Sequence, residues 1–245
     1  MSSSAERPVV KVLTLFPDMV RTVLETSICG RGQRQGQVDY QVVDIRDFSV
    51  DKHRTVDDSA YGGGAGMIMM AQPVVEAVES CRNRDDATVI LTTPQGETFD
   101  EALTLELLDD LKAKGEIIII CGHYKGIDER AIELVVNREV SIGDYVLTGG
   151  ELPALVITDA LVRRIEGVLH NGDSAASDSF TELRDGGLDC QWYTKPPEYR
   201  GLGIPEVLLS GHHAKIEAWR RAQAEERTRQ RRPDLATDEA DRKST

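Results

Sequence analysis

The chain has 245 residues, 40% hydrophobic and 29% charged, and a formal net charge of −13. That balance excludes a largely disordered chain and leaves room for one large core or two modest domains. No apolar run approaches a membrane span, since the densest, residues 117–121 and 154–157, are far too short. The opening MSSSAERP has no apolar signal region and reads as a short disordered leader. Cys29, Cys81, Cys121 and Cys190 lie far apart, with neither a CxxC pair nor zinc spacing. A reduced cytoplasmic protein without a metal site is the simplest expectation.

Net acidity argues at first against a nucleic-acid partner. Its distribution weakens that objection. Residues 188–232 carry a balance of +3, whereas residues 1–187 carry −14. Arg220, Arg221, Arg227, Arg229, Arg231 and Arg232 fall in one stretch. Such a cluster is either a solvated helix face or a surface that meets phosphates.

In chain order, residues 9–16 form a compact apolar run suited to a buried strand. Residues 38–45 alternate in strand fashion, with Val43 as an exception. Val74, Ala77, Val78 and Cys81 recur at helical spacing over 73–82, with Pro73 in the first turn. Residues 88–93 form a β-branched strand. Thr98 and Glu101 have capping-box spacing ahead of a helix bearing Leu103, Leu107 and Leu111, which stops at Gly115. Residues 116–121 are continuously apolar after Glu116, the pattern of a strand buried on both faces of a parallel sheet. A short helix over 128–137 and a strand from 140 follow. Residues 152–165 are apolar almost all round, which predicts a deeply buried helix. The alternation specifies an α/β domain over 1–168 with a mostly parallel sheet and flanking helices. Residues 169–187 are rich in Gly, Ser and Asp and read as a linker. Residues 188–245 form a small, mainly helical second domain. Its helix starts near His212, carries Ile216, Trp219 and the arginines, and ends in a disordered tail.

Several segments carry polar chemistry. The stretch YGGGAGM at 61–67 is neither G-x-G-x-x-G nor a P-loop, so it reads first as a flexible loop. Before it, Lys52, His53, Arg54 and Asp57 sit in a highly ionisable run, either a solvated loop or a surface reading a base edge and phosphates. Three loops, 92–96, 121–128 and 141–153, each follow a strand and mix glycine with a few polar groups. In parallel sheets ligands bind beyond the carboxyl ends of strands, so the three together predict a pocket. Asp159 and Arg163 are four apart on a helix. Arg163 shares the phase of Leu152 and Val156, so it is either a structural ion-pair partner or a cation aimed into a site. Asp178, in the linker, reads from its surroundings as a solvated loop carboxylate. His212 and His213 have no second ligand pair at metal spacing.

In this order the segments resemble the bacterial tRNA (guanine-N1)-methyltransferase family of SPOUT, trefoil-knot methyltransferases. The matching residues are LTLFPDM at 13–19, DKHRTVDDSAYGGGAGMIMM at 51–70, TPQG at 93–96 and CGHYKGIDER at 121–130. They continue through SIGDYVLTGGELPA at 141–154, DSF at 178–180, LDCQWYTKP at 188–196 and PEVLLSGHHAKIEAWR at 205–220. The resemblance implies a trefoil knot near 88–153, a homodimer with the active site between subunits, and transfer RNA as substrate. The product would carry methyl on N1 of guanine 37, just 3′ of the anticodon. It implies that S-adenosylmethionine binds through Thr93, Pro94, Gln95, Gly122, Tyr124, Ile142, Gly143, Tyr145, Leu147, Gly149, Gly150 and Pro153. It implies Asp178 as general base, Arg163 beside the reacting guanine, and Asp57, with Lys52, His53 and Arg54, in reading the RNA. Lys125 stands where many members have a glutamate linked to metal dependence, and Ala65 replaces a common proline. The resemblance therefore does not settle a Mg2+ requirement. Two other classes remain: a non-catalytic RNA- or nucleotide-binding protein, and a phosphate-transfer enzyme, which lacks the lysine it needs after residues 61–67.

Overall fold

Residues 7–169 and 177–236 are described by a computed structural model of the chain. The expected leader (1–6), part of the expected linker (170–176) and the tail (237–245) lie outside the described residues. The chain divides into two units between His170 and Asn171.

The first unit is framed by strands β1 (Val9–Thr14), β2 (Asp39–Asp44), β5 (Thr88–Thr98), β6 (Glu116–Cys121) and β7 (Arg138–Ser141). They form one parallel sheet in the order β2-β1-β6-β5-β7. All six residues of β6 are buried. A strand sends successive side chains to opposite faces. Ile117 and Ile119 therefore join one apolar layer and Ile118 and Ile120 the other. The first layer contains α1 (Pro17–Leu24), α2 (Ser27–Arg34), α4 (Glu101–Lys114) and α6 (Glu151–Val162). The second contains α3 (Ala71–Cys81) and α5 (Glu129–Val135). A short antiparallel hairpin, β3 (Asp57–Ser59) with β4 (Met67–Met69), carries the Gly-rich loop.

One ionic cluster interrupts the apolar interior. Lys11 of β1 donates from Nζ to the Glu116 carboxylate and to the Cys81 carbonyl oxygen. The other Glu116 oxygen accepts the Asn83 and Arg84 amides, each at 3.0 Å. Both side chains are buried, so each charge depends on the other.

Three local expectations change. The cap of α4 is Asp100, whose carboxylate accepts the Leu103 amide at 2.9 Å. Thr98 cannot serve, because it is the last residue of β5 and still pairs with Ser141. The loop expected at 92–96 lies inside β5: pairing with β7 breaks between Thr92 and Glu97 and then resumes. Helix α6 is buried on one face only. Leu152 and Val156, on the other face, are 49% and 47% exposed. The helix covers the sheet with one side, and within this chain its other side faces outward.

The second unit is built differently. It holds the two-stranded pair β8 (Glu198–Tyr199) and β9 (Leu202–Gly203), several 3-10 turns, and α7 (His213–Arg231). Its buried side chains are small: Thr181, Cys190, Ala224 and Thr228. Hydrogen bonds do much of the joining. Thr228 Oγ1 donates to the Ala224 carbonyl at 2.8 Å and accepts the Leu188 amide at 2.9 Å. The described part of the expected linker, 177–187, folds into turns within this unit, with the Phe180 amide on the Gly187 carbonyl at 2.7 Å.

Candidate active site

At the carboxyl ends of β5, β6 and β7 lies a cavity of about 410 Å³. That volume falls in the range of small-molecule sites. All twelve residues expected to hold a cofactor line it: Thr93, Pro94, Gln95, Gly122, Tyr124, Ile142, Gly143, Tyr145, Leu147, Gly149, Gly150 and Pro153. They come from the interrupted middle of β5 and from the two loops after β6 and β7, and hydrogen bonds tie these segments together. The Gly150 amide donates to the Gly122 carbonyl at 2.7 Å. Thr92 Oγ1 donates to the Ile120 carbonyl at 3.1 Å and lies 3.4 Å from that of Gly150.

Gly150 shows why the close approach demands glycine. A Cβ there would lie 2.2 Å from Thr92 Oγ1 and 2.6 Å from the Gly122 amide nitrogen. Gly143 has φ +145°, and its Cβ would strike the Tyr145 ring at 2.6 Å. Tyr145 is thereby laid over the backbone, and its hydroxyl donates to the Ile142 carbonyl at 3.3 Å. The walls therefore combine apolar side chains with backbone amides and carbonyls. Such walls suit a flat heterocycle bearing ribose.

Sequence reasoning missed His123, which also lines the cavity. Its ring packs against Phe16 at 5.2 Å and edge-on to Tyr124 at 4.8 Å. Its Nδ1 is buried and has no hydrogen-bond partner among the described residues. Beside it, Glu151 is 3% exposed, and one carboxylate oxygen accepts from Thr14 Oγ1 at 2.7 Å. Neither residue stood out in the sequence, because a lone His and a helix-opening Glu have ordinary structural readings. Burial pushes the neighbouring Cys121 thiol well above its usual range.

Lys52, His53, Arg54 and Asp57 are not among the residues lining this cavity. They occupy the charged segment leading into β3. Arg54 is committed to carboxylates, with Nη2 on Asp44 at 3.1 Å and on Asp47. Lys52 and His53 are exposed, and Asp57 is half-buried at the start of β3. The Thr55 hydroxyl, 2.6 Å away, holds the Asp51 carboxyl below its ordinary range. Lys125 links this region to the cavity. It lines the cavity, its amide donates to the Met67 carbonyl at 3.0 Å, and its side chain covers Gly66. Gly62, Gly63, Gly64 and Gly66 all have positive φ, so the loop has a defined left-handed path that suits glycine.

Arg163 closes α6 as its C-terminal cap, with its amide on the Asp159 carbonyl at 3.1 Å. Asp178 belongs to the second unit. Its carbonyl accepts the Thr181 hydroxyl at 2.8 Å, and the adjacent Ser177 carbonyl accepts Arg184 Nε at 3.0 Å. Arg184 is itself held by Asp189 at 2.7 Å. Among the described residues no group of three or more His, Cys, Asp or Glu side chains could hold a metal ion. Among them, too, no helix is long and apolar enough to cross a membrane.

Residues 9–238 match the family described as tRNA (Guanine-1)-methyltransferase TrmD. The chain is 51% identical to the tRNA (guanine-N(1)-)-methyltransferase of Lachnospira eligens over 226 residues, covering 91% of this chain and 93% of that protein. The protein of the same name in Ruminiclostridium cellulolyticum is 49% identical, covering 91% and 94%. That of Chlorobaculum tepidum is 44% identical over 235 residues, covering 95% and 99%.

Proposed function

Since the chain belongs to the tRNA (guanine-N1)-methyltransferase family and is a methyltransferase, we propose that it methylates N1 of guanine 37, just 3′ of the anticodon, using S-adenosylmethionine. The observation that carries the cofactor assignment is that one cavity gathers the twelve expected residues from the middle of β5 and two loops. The chain's own groups fit the cofactor: the tight backbone at Gly122 and Gly150 admits a flat ring system, and loop amides and carbonyls can meet adenine and ribose. When bound, S-adenosylmethionine supplies a methyl already activated on sulfonium.

The remaining task is to make guanine N1 a nucleophile. That nitrogen carries a proton, and the Asp178 carboxylate takes it as general base. Negative charge then builds on O6, where the Arg163 guanidinium stabilises it. With cofactor and substrate bound, the cavity walls would position the guanine toward the methyl, and the guanine would leave its stack to enter. Asp57, Lys52 and His53 form the surface that reads neighbouring nucleotides. Arg54, held by two aspartates, shapes that loop.

Because the outer face of α6 exposes Leu152 and Val156, an apolar pair suited to a second copy of this chain, we assign the active form as a homodimer with a shared site. We further propose that segments 88–153 form a trefoil knot, that residues 1–168 are the catalytic domain, that 169–187 connect the two domains, and that 188–245 grip the anticodon stem through the arginines of α7. Four free, buried thiols support a reducing, cytoplasmic setting.

The test is transfer of labelled methyl to unmodified tRNA carrying guanine 37, beside the same tRNA with that base substituted, each with and without Mg2+. Label should enter only the guanine-37 RNA. Equal labelling of the substituted RNA overturns the site assignment. Absence of labelling in both, with RNA still bound, favours a binding protein that kept the fold.

A further inference from the structure

The second unit carries an indole that is both restrained and exposed. Trp192 is 60% exposed. Its Nε1–H donates to Asp189 Oδ2 at 2.6 Å. One ring face is covered by the Arg220 guanidinium, 4.6 Å from the ring centroid. Asp189 is in turn anchored by Arg184, and Arg220 by Glu217 at 2.6 Å. The next residue repeats the arrangement, with Tyr193 at 6.4 Å from Trp219. Two successive loop residues are thus stapled to two successive residues of α7.

A hydrated, mobile side chain would satisfy solubility better than a locked one. Fixing an indole with one edge and one face occupied leaves its other face open and pre-oriented. Such a surface binds flat partners at low ordering cost. A guanidinium behind the ring and the arginines along α7 favour a planar group carried on a polyanion. We propose that Trp192, backed by Arg220, is a stacking platform for an unpaired nucleobase of the RNA substrate, adjacent to the phosphate contacts of α7. The proposal rests on the RNA-substrate reading above and names where the second unit meets a base rather than a phosphate.

The chain has two tryptophans, so Trp219→Phe leaves Trp192 as its sole indole fluorophore. An RNA hairpin with the anticodon stem–loop sequence should quench that fluorescence, and an abasic substitution at one loop position should abolish the quench while the hairpin still binds. In the otherwise native chain, Trp192→Ala should weaken hairpin binding roughly ten- to a hundredfold, the range of one stacked base. Trp192→Phe should recover most of that loss, which also controls for folding. The salt dependence of binding should be the same in wild type and Trp192→Ala, because a stacking contact releases no counterions. A bound hairpin that leaves the fluorescence unchanged overturns the platform. So does a Trp192→Ala protein that binds RNA normally but sediments as a smaller species, since Trp192 would then serve a protein contact. Quenching without methyl transfer supports the platform and overturns the methyltransferase reading. Methyl transfer without quenching does the reverse.

Discussion

The two units of this chain solve the problem of stability by different means. The first sandwiches a parallel sheet between two apolar layers, and its central strand, β6, has no exposed residue. The second buries little beyond Thr181, Cys190, Ala224 and Thr228, and leaves Trp192, Tyr199, Leu202 and Leu209 more than half exposed. A dense core restrains the cavity it frames, because packed side chains cannot drift independently. The second unit is joined mainly by hydrogen bonds and ion pairs and leaves aromatic side chains exposed. On the reading proposed above, the cofactor is held by the first unit alone, whereas the reacting guanine needs groups from both, Arg163 of the first and Asp178 of the second.

The sharpest test of that separation is Asp178→Ala. Loss of a general base lowers the methyl-transfer rate about 10²- to 10⁴-fold. Cofactor affinity, read by calorimetry with S-adenosylmethionine, should remain close to wild type, because Asp178 lies in the second unit. A near-normal single-turnover rate removes Asp178 from the base role. A large loss of cofactor affinity breaks the division between units.

Glu116→Gln is next in size and strikes the first unit alone. Lys11 would keep its buried charge but lose its counter-charge, a situation that costs roughly 3–5 kcal/mol. Hydrogen exchange should accelerate across β1 and β6 while α7 amides hold their protection. Equal acceleration in α7 means that the units unfold as one body.

Gly150→Ala asks whether the cavity depends on close backbone approach. The added Cβ meets Thr92 Oγ1 and the Gly122 amide nitrogen, so the loops must part. Overpacking of that kind costs about 1–3 kcal/mol. Weaker binding of S-adenosylmethionine with RNA affinity unchanged is the expected result. Unchanged binding of both shows that the loops yield cheaply.

Much of this was legible in the residues, and the remainder was hidden for definite reasons. The run EIIIIC at 116–121 announces a strand buried on both faces, and Gly115 announces the helix end before it. The three Gly-bearing loops predict a pocket because strand direction in a parallel sheet leaves few alternatives. Local spacing misassigned the cap to Thr98, since a capping pattern carries no information about how far the preceding strand stays paired. The apolar character of α6 does not reveal that Leu152 and Val156 point away from this chain's core. Nor can sequence show that Arg220 covers Trp192 or that His123 Nδ1 is buried unpaired, because those facts depend on contacts across many residues. Guanine N1, the methyl donor and the role of Asp178 were reached through family resemblance, not through spacing.

The smallest effect probes the second unit's own joinery. Thr228 Oγ1 links α7 to the Leu188 amide at 2.9 Å, and it packs 2.8 Å from where a Gly187 Cβ would lie. Thr228→Val keeps the shape and removes the acceptor, so the Leu188 amide loses its partner. An unsatisfied donor of this kind costs about 1–3 kcal/mol, the lower end applying where water can enter. Limited proteolysis should then cut the 177–190 segment faster, and methyl transfer should fall mildly because Asp178 sits in those turns. Cofactor affinity should not change. If Thr228→Val leaves both proteolysis and transfer untouched, the turns around Asp178 are held by the Arg184–Asp189 pair instead, and Arg184→Met becomes the variant that loosens them.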